Sequence, residues 1–461
     1  MSNDKNLQMT KLIAEKVSDA GGRAYYVGGF VRDSLLGIES KDIDLEIHGL
    51  TPECLDEVLK TVGNPVTFGN SFGVISLQHY NIDISLPRKH ENNSRGGKEF
   101  FGFVDPFVGT ENAARRRDLT INSMMQDVLT GEIIDHFGGL QDLENGIIRH
   151  VDDITFSEDP LRVLRTAQFA ARFQFDVDKK TILLSRNLSL ADIPRERIWG
   201  ELEKALMKSE KPSIFFSVLR EMSQLDIWFP EIKSLIGIEQ EPQFHPEGDV
   251  WNHTMLVLDY ATKLRDRAAH PLEFMMSALC HDLGKITTTH KIDGRIRALC
   301  HETEGLPLAK NFLDRLTNES KLLKYVLNMM ELHMRPNQMA AQKSKSKSMC
   351  KLFDSSVSPD DLLLLSKADH CSRPNASPYE ETEKYLKDNL NIYRERIEMP
   401  CVTGADLINA GFEPGRTFKD ALDYARKLQL AGIQKDNALC QTLAFLRKLE
   451  KQNDKAQYQQ H

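Results

Sequence analysis

Short apolar segments alternate with helical segments over the first 145 residues. Four segments are enriched in Val, Ile, Tyr or Leu and are bounded by turn residues, as is typical of short strands: AYYVGG, DIDLEI, GVISLQ and NIDISL. Two segments between them carry apolar residues at helical spacing: FVRDSLLG and PECLDEVLKTVG. The alternation predicts an α/β head that is built on a small mixed sheet.

Helical periodicity replaces the strand pattern after about residue 158. Apolar residues recur every three or four positions in DPLRVLRTAQFAARF, HTMLVLDYATKL and FKDALDYARKLQLAG. The pattern therefore predicts that the rest of the chain is all-α. We place the domain boundaries near residues 145, 232 and 375. The predicted domains are a head at 1–145, a neck at 146–232, a third domain at 233–375 and a tail at 376–461.

The composition limits the class of protein. The chain has 461 residues, of which 41% are hydrophobic and 27% charged, as in globular proteins. Its formal net charge of -8 argues against a protein that coats nucleic acid by bulk positive charge. Its seven cysteines are scattered without a C-x-x-C pair, which is typical of a reducing compartment. No apolar run is long enough to be a signal peptide or a membrane span, so we expect a cytoplasmic protein without membrane association. Nothing in the sequence indicates an obligate protein partner.

A candidate metal site follows a glycine turn in the head. Gly28 and Gly29 end a predicted strand and begin a predicted helix, where the backbone can approach a phosphate. Asp42 and Asp44 are two residues apart in an apolar strand, so both carboxylates point to one face. A solvated strand edge is the better explanation of a lone D-x-D, but the upstream GG-x-V-R-D reverses this and favours a cation between the carboxylates. The pattern predicts Mg²⁺ with oxygen ligands, and Asp83 in NIDISL is a candidate third ligand.

The motif EDPLRVLR places an acceptor and a donor on one helix face. Asp159 and Arg162 are three residues apart; the carboxylate only accepts hydrogen bonds and the guanidinium only donates them. Cytosine and adenine each present an amino group beside a ring-nitrogen acceptor, whereas uracil and guanine present a carbonyl beside an N–H. The pair therefore predicts a site that accepts C and A and rejects U and G. Asp159 is also suited to cap a helix with Pro160 in its first turn, and the two roles are compatible.

Four motifs resemble those of the class II tRNA nucleotidyltransferases, the CCA-adding enzymes, in their order and spacing: VGGFVRDSLLG…DIDLEI, RRRDLTINSM, DHFGG and EDPLRVLRTAQFAARF. The resemblance implies an α/β nucleotidyltransferase head with a small mixed sheet, followed by all-α neck, HD and tail domains. It implies template-independent addition of CCA to the 3′ end of tRNA from CTP and ATP. The site residues it implies are the catalytic Mg²⁺ ligands Asp42 and Asp44, and the nucleotide contacts Gly29, Arg32, Arg117, Asp159, Arg162 and Arg165. Gln168 stands where the family usually has another arginine.

A second constellation lies in the predicted helical region. The pattern H…HD…D resembles the HD phosphohydrolase superfamily, and it is formed by His253, His281, Asp282 and Asp369. Such ligands hold a divalent metal, of unknown identity here, with an open water position. His301 and His333 are candidate additions, although a packing role is favoured for any lone histidine. The resemblance is to the nucleotidyltransferase subgroup with a C-terminal HD domain, and it implies phosphatase or 2′,3′-cyclic phosphodiesterase activity.

Other functions fit parts of the sequence. A bacterial poly(A) polymerase resembles the head, but it carries an arginine-rich stretch where this chain reads NPVTFGNSFGVISLQHY. A partial enzyme would add only CC or only A; residues 88–98 form a loop of the kind that full enzymes use to switch from C to A, so full addition is favoured. A metal phosphohydrolase with an RNA-binding head is a third reading, which the complete set of head residues disfavours. In the tail, the basic residues of one segment fit either contact with RNA backbone or a solvated helix face: Arg416, Lys419 and Lys427.

Overall fold

The structure, a computed structural model, describes residues 3–40, 42–67, 74–88 and 104–458. The chain divides into one unit formed by Met1–Ala205 and Ile214–Ile227, and a second unit formed by Leu206–Ser213 and Trp228–His461. The finer division into head, neck, HD domain and tail stays a prediction. No helix in the described ranges is long and apolar enough to cross a membrane.

The first part of the chain contains the strands and helices that the pattern predicts, with further short elements. The strands are β1 (Arg23–Val27), β2 (Ile43–His48), β3 (Pro65–Thr67), β4 (Val74–Leu77), β5 (Ile82–Ser85), β6 (Met125–Asp127), β7 (Ile133–Ile134), β8 (Ile147–Ile148) and β9 (Asp176–Val177). The helices are α1 (Asn3–Asp19), α2 (Gly29–Leu35), α3 (Pro52–Val62), α4 (Thr110–Arg115), α5 (Gly139–Asn145), α6 (Asp153–Glu158), α7 (Leu161–Phe173), α8 (Lys179–Arg186), α9 (Arg195–Lys208) and α10 (Ser213–Glu221).

The head contains a mixed sheet, as predicted. Among the described residues it has seven strands in the order β3-β4-β5-β2-β1-β6-β7. Its neighbouring strands are antiparallel except β2 and β5, which are parallel. Alternate residues of a strand point to opposite faces, and Ile43, Leu45 and Ile47 of β2 are fully buried on one of them. Asp44 and Glu46 therefore lie on the opposite face of the same strand.

The second part of the chain is predominantly helical, as predicted. The helices are α11 (Pro230–Lys233), α12 (Val250–Arg265), α13 (Pro271–Cys280), α14 (Lys285–Thr288), α15 (His301–Glu304), α16 (Leu306–Leu316), α17 (Ser320–Leu332), α18 (Arg335–Ala341), α19 (Ser346–Ser355), α20 (Pro359–Cys371), α21 (Glu380–Glu398), α22 (Gly404–Asn409), α23 (Arg416–Leu430) and α24 (Lys435–Tyr458). Their core contains fully buried aromatic side chains that include Phe274, Phe312 and Phe353.

The sequence pattern missed a β-hairpin within this helical part. Strands β10 (Thr289–Ile292) and β11 (Arg295–Ala298) pair in antiparallel register. Their two-residue turn is Asp293-Gly294, and both residues have positive φ values of 51° and 77°. An Asp-Gly dipeptide between short strands is a strong hairpin signal, because a turn that matches the strand twist needs positive φ at both positions. The signal was therefore present in the sequence, and the surrounding helical periodicity concealed it.

A buried carboxylate connects the segment before the short turn at Thr120–Asn122 with helix α7. Asp118 accepts hydrogen bonds from Arg165 Nε at 2.7 Å and from Asn122 Nδ2 at 3.0 Å. Burial alone would raise the pKa of Asp118, but the charge of Arg165 and the hydrogen bond from Asn122 offset it and lower the pKa to about 2. The Arg165 side chain, which the resemblance assigns to the nucleotide, thus has a structural partner.

Asp118→Asn is expected to lower the free energy of unfolding at pH 7 by roughly 3 kcal/mol, because it leaves a buried ion pair half formed. Folding lowers the pKa of this carboxyl to about 2, so its stabilisation is present above the unfolded pKa and is lost as the pH falls toward 2. The difference between variant and parent should therefore shrink at pH 3. Urea denaturation at both pH values measures this. Asp56→Asn, which removes an exposed pair with Lys60, is the control, and an equal loss in both variants would contradict the role of Asp118.

Candidate active site and metal centre

Carboxylates of the head lie on neighbouring strands. Asp44 of β2 pairs with Asp83 of β5 in parallel register, and Asp42 directly precedes β2. Desolvation is the largest cause that raises the pKa of Asp44; the charges of Asp83 and Asp42 add to it, and the charge of Arg117 opposes it. The three carboxylates are not among the described groups whose ligand atoms all lie within 4.8 Å. Triphosphate oxygens and water would therefore complete the coordination shell of a shared Mg²⁺, as is common for this ion.

The glycine turn brings Arg117 beside Asp44. Gly28 has φ 64°, a conformation that disfavours other residues. A Cβ atom at Gly28 would lie 3.6 Å from Arg117 Nη1 and 3.8 Å from Asp44 Oδ2. Any side chain here would therefore occupy the space between the turn, the carboxylate and the guanidinium. This is the space in which the sequence places the triphosphate.

Glu46 is a residue of this site that the sequence reading missed. Its carboxylate is buried and accepts hydrogen bonds from Arg117 Nη2 at 3.0 Å and from His48 Nε2 at 2.9 Å. Burial would raise the pKa of Glu46, but the hydrogen bond from His48 and the charge of Arg117 more than offset it, so the pKa is lowered. Glu46 therefore holds Arg117 in place as an anionic anchor. Its signal in the sequence is the period-two series Asp42, Asp44, Glu46, which places Glu46 on the same face of the strand as the two aspartates.

The Arg32 side chain makes its contacts with other residues of the fold. It is 3% exposed, and it donates to Asp33 at 2.8 and 2.6 Å and to Asn122. Its guanidinium lies over the rings of Phe169 and Phe173, each 4.9 Å away, which connects α2 with α7. Its contact with nucleotide stays a prediction, as does that of Gly29.

Helix α7 also contains the departure from the family pattern. Gln168 is 2% exposed, and its Nε2 has no hydrogen-bond partner in the described part of the chain. The Gln168 side chain therefore lies on the buried face of α7.

The predicted base-selecting pair stands at the start of α7, but its members bind other groups. Asp159 accepts from Arg197 Nη2 at 2.7 Å and from the backbone N–H of Leu161 at 3.2 Å. Arg162 donates to the carbonyl oxygens of Thr155 and Arg116 at 2.7 and 2.6 Å. The predicted helix start is one residue early, since Pro160 is the N-cap residue and Leu161 the first helical residue; Asp159 lies one position before the N-cap. Arg197 was missed because it comes from another helix, α9.

The predicted HD ligands come together in the second unit, and two further histidines join them. One group of ligand atoms within 4.8 Å is formed by His253, His281 and Asp369, and an adjacent one by Asp282, His301 and His333. All six side chains are buried. The four predicted ligands and both candidate histidines therefore form one cluster, which the ends of several helices bring together.

The histidine rings are oriented for metal binding. In three of them Nδ1 lies at hydrogen-bonding distance from a backbone carbonyl: His281 to Ala278 at 2.8 Å, His301 to Ala298 at 2.9 Å and His333 to Met330 at 2.7 Å. A carbonyl only accepts, so Nδ1 carries the proton, and Nε2 is the atom that presents a lone pair when the ring is neutral. These Nε2 atoms are buried without hydrogen-bond partners among the described residues, 3.2–3.9 Å from the Asp282 carboxylate. Buried acceptors aimed at a carboxylate fit a divalent cation.

Glu247 orients the fourth ring and was also missed. Its Oε1 lies 2.8 Å from His253 Nδ1 and 2.9 Å from His245 Nδ1. Burial would raise the pKa of Glu247, but the hydrogen bonds from His253 and His245 lower it to about 2. A carboxylate on Nδ1 directs Nε2 of His253 toward Asp369, 3.1 Å away. Glu247, in the segment HPEGD, lies only six residues before His253, so the signal was present in the sequence.

Cationic side chains border this centre. Lys285 Nζ lies 2.8 Å from Asp282, and Arg373 Nη2 lies 2.7 Å from Asp369. Burial and the neighbouring His281 and His301 lower the pKa of His333 to about 3, so that ring is neutral at pH 7. The centre thus combines imidazoles, two carboxylates and two cations. This donor set fits a hydrolytic metal site whose substrate carries a phosphate.

Family models match the chain at three places. They are described as "Poly A polymerase head domain" at residues 24–149, "Probable RNA and SrmB- binding site of polymerase A" at 174–236, and "HD domain" at 250–373. The first covers the carboxylates and the glycine turn of the head. The last covers the six buried residues of the metal centre.

Similar proteins match most of the chain. The multifunctional CCA protein of Actinobacillus pleuropneumoniae serotype 5b is 38% identical over 323 residues, which are 68% of this chain and 76% of that protein. That of Haemophilus ducreyi is 36% identical over 379 residues, 77% of this chain and 88% of its own length. The Thermotoga maritima CCA-adding enzyme, solved in complex with tRNA, aligns with a TM-score of 0.65 at 21% identity and covers 96% of both chains. The last comparison shows a shared fold.

Proposed function

Because this chain belongs to the family of multifunctional CCA proteins, it is a tRNA nucleotidyltransferase, and we propose that the head adds C, C and A to the 3′ end of tRNA from CTP and ATP. The observation that carries the proposal is the placement of Asp44 beside Asp83, Arg117 and the Gly28 turn. This arrangement supplies oxygen ligands for Mg²⁺ and a cation for phosphate at one position.

The proposed reaction is in-line attack of the RNA 3′ hydroxyl on the α-phosphorus of the nucleotide, with release of pyrophosphate. Asp42 and Asp44 would hold Mg²⁺, which when bound lowers the pKa of the hydroxyl and screens the triphosphate charge. Arg117, held by Glu46 at 3.0 Å, would orient a phosphate oxygen. The protein would work in the cytoplasm, with tRNA, CTP and ATP as its partners.

One assay tests this proposal. The purified protein is incubated with Mg²⁺, tRNA that lacks its last three nucleotides, and each labelled nucleotide in turn. We expect two C additions from CTP alone and one A addition when ATP is also present. A long A tract from ATP alone would instead identify a poly(A) polymerase, and C without A would identify a partial enzyme.

The source of the switch from C to A stays a prediction. The sequence assigns it to the loop at 88–98, of which residues 89–98 lie outside the described residues. In the tail, Arg416, Lys419 and Lys427 are exposed on α23, which is compatible with contact with RNA and equally with a solvated helix face.

We further propose that the HD centre hydrolyses phosphate esters at damaged tRNA ends. Two adjacent ligand groups, with Asp282 near the Nε2 atoms of several histidines, are suited to hold two divalent cations, or one cation and a water. Lys285 and Arg373 lie beside Asp282 and Asp369, where they would bind phosphoryl oxygens. The ligand set of imidazole nitrogens and carboxylate oxygens suits any divalent metal that accepts mixed nitrogen and oxygen ligands.

Asp159→Ala is expected to weaken discrimination against UTP and GTP by roughly 1–3 kcal/mol, the range for a bidentate base contact. The side chain would accept from the amino group of C or A while Arg162 donates to the adjacent ring nitrogen. UTP misincorporation and melting temperature are measured on the same variant. Lower stability with unchanged base choice would leave Asp159 only its structural role at the start of α7.

Arg197→Ala provides a matched comparison. Arg197 binds the Asp159 carboxylate at 2.7 Å, so its loss should weaken base discrimination in the same direction but less. Arg195→Ala, which removes a partly exposed arginine of the same helix paired with Glu196, should leave discrimination unchanged.

A further inference from the structure

The hairpin of strands β10 and β11 is a basic surface in an acidic protein. Its sequence THKIDGRIRA contains one lysine and two arginines against one aspartate, a formal charge of +2, whereas the whole chain carries -8. His290 is paired with Arg297 and Ile292 with Arg295 across the strands. Paired residues share a face, so His290, Arg295 and Arg297 lie on the same side of the hairpin.

These basic side chains are free to bind a ligand. His290, Lys291, Arg295 and Arg297 are all exposed. None of them forms an ion pair with a carboxylate in the described part of the chain. Only the backbone of the hairpin is tied to a neighbouring segment, since Ile296 N–H donates to Glu241 at 3.0 Å. A strand pair with such cations on one face fits a polyanion.

Both ends of the hairpin are tied to the metal centre. Before it, Lys285 of α14 contacts Asp282 at 2.8 Å. After it, Ala298 accepts from His301 Nδ1 at 2.9 Å, while His301 Nε2 lies 3.3 Å from Asp282. A four-residue strand extends about 13 Å at roughly 3.3 Å per residue. The basic face therefore lies within a few nucleotide lengths of the cluster.

We infer that this hairpin binds the single-stranded 3′ end of tRNA and guides its terminal phosphate into the HD centre. The inference rests on the proposed hydrolase function of that centre. Arg295 and Arg297 contact backbone phosphates, which gives affinity without base specificity. The specificity for the end of the strand comes from the buried centre, which only a terminal phosphate reaches.

The hairpin is tested with the double variant Arg295→Ala/Arg297→Ala in the full-length, metal-loaded protein. We expect its KM for a short RNA with a 2′,3′-cyclic phosphate to rise about ten-fold or more, because two contacts with backbone phosphates are lost. Its kcat/KM for p-nitrophenyl phosphate, which has no RNA backbone, should not change. The salt dependence of log(kcat/KM) for the RNA should become shallower by about 1.4, at roughly 0.7 per lost phosphate contact.

The control removes two exposed lysines from another helix of the same unit, as Lys321→Ala/Lys324→Ala. This variant also loses two positive charges, so it separates the loss of local RNA contacts from a change in the overall electrostatic field. An equal rise of KM in both double variants would overturn the hairpin as the binding surface.

A second measurement does not depend on hydrolysis. An RNA with 4-thiouridine beside a 3′-terminal phosphate is irradiated with the protein, and the crosslinked peptide is identified by mass spectrometry. Crosslinks within residues 289–298 support the surface, and crosslinks only elsewhere overturn it. If the unmodified protein hydrolyses neither substrate, the proposed hydrolase function fails, and the crosslink position alone still decides whether the hairpin binds RNA.

Discussion

Asp44→Ala is expected to reduce CCA addition by about 10³-fold or more, which corresponds to roughly 4 kcal/mol of activation free energy. Asp44 pairs in register with Asp83, and its carboxylate borders the Gly28 turn together with Arg117, where it would hold Mg²⁺ against the triphosphate. Asp42→Ala should have a comparable effect. Transfer of labelled CMP and AMP to tRNA that lacks its 3′ end measures the loss.

The stability of the same variant separates catalysis from folding. The pKa of Asp44 is raised in the folded protein, first by desolvation, so its charge is unfavourable there at pH 7. Asp44→Ala should therefore melt at or above the temperature of the parent protein. The control for activity is Asp56→Ala, which changes a partly exposed aspartate on α3. Near-normal turnover by both the Asp42 and Asp44 variants would contradict the assignment of these residues as the catalytic metal ligands of the head.

His281→Ala is expected to abolish hydrolysis at the HD centre while CCA addition continues. The ring is fully buried and presents Nε2 3.2 Å from Asp282, so its loss opens the ligand set. Asp282→Asn should act in the same way because the amide oxygen is a weaker ligand. Hydrolysis of 2′,3′-cyclic AMP and of p-nitrophenyl phosphate measures the activity, and elemental analysis of the purified variants measures the bound metal.

His270→Ala is the matched control, since His270 is an exposed histidine at the start of α13. It should keep both the metal and the hydrolysis. Loss of CCA addition in a folded His281→Ala protein would show that the two sites are not independent. Unchanged metal content together with unchanged hydrolysis would remove His281 from the centre.

Local sequence determined the helices, most of the head strands and the chemistry of both sites. Hydrophobic periodicity fixes which side chains face a core, so the mixed sheet and the helical remainder are predictable from a single chain. Spacing fixes which residues share a face, so Asp42 with Asp44, and Asp159 with Arg162, are recognisable as pairs. The hairpin with the Asp293-Gly294 turn is also encoded locally, because its signal is the dipeptide itself, although the prediction of an all-α region did not include it.

Only the tertiary structure decided how these groups are held. Arg197 meets Asp159 from 38 residues away, Glu46 meets Arg117 across 71 residues, and His253 meets Asp369 across 116 residues. No periodicity encodes such pairings, because they depend on how separate elements pack. The tertiary structure also decides which ring nitrogen of each HD histidine carries the proton, because Nδ1 faces a carbonyl or a carboxylate of the folded chain. The sequence thus determines which chemical groups are present, and the packing of distant elements determines which of them are buried, charged and aimed at one another.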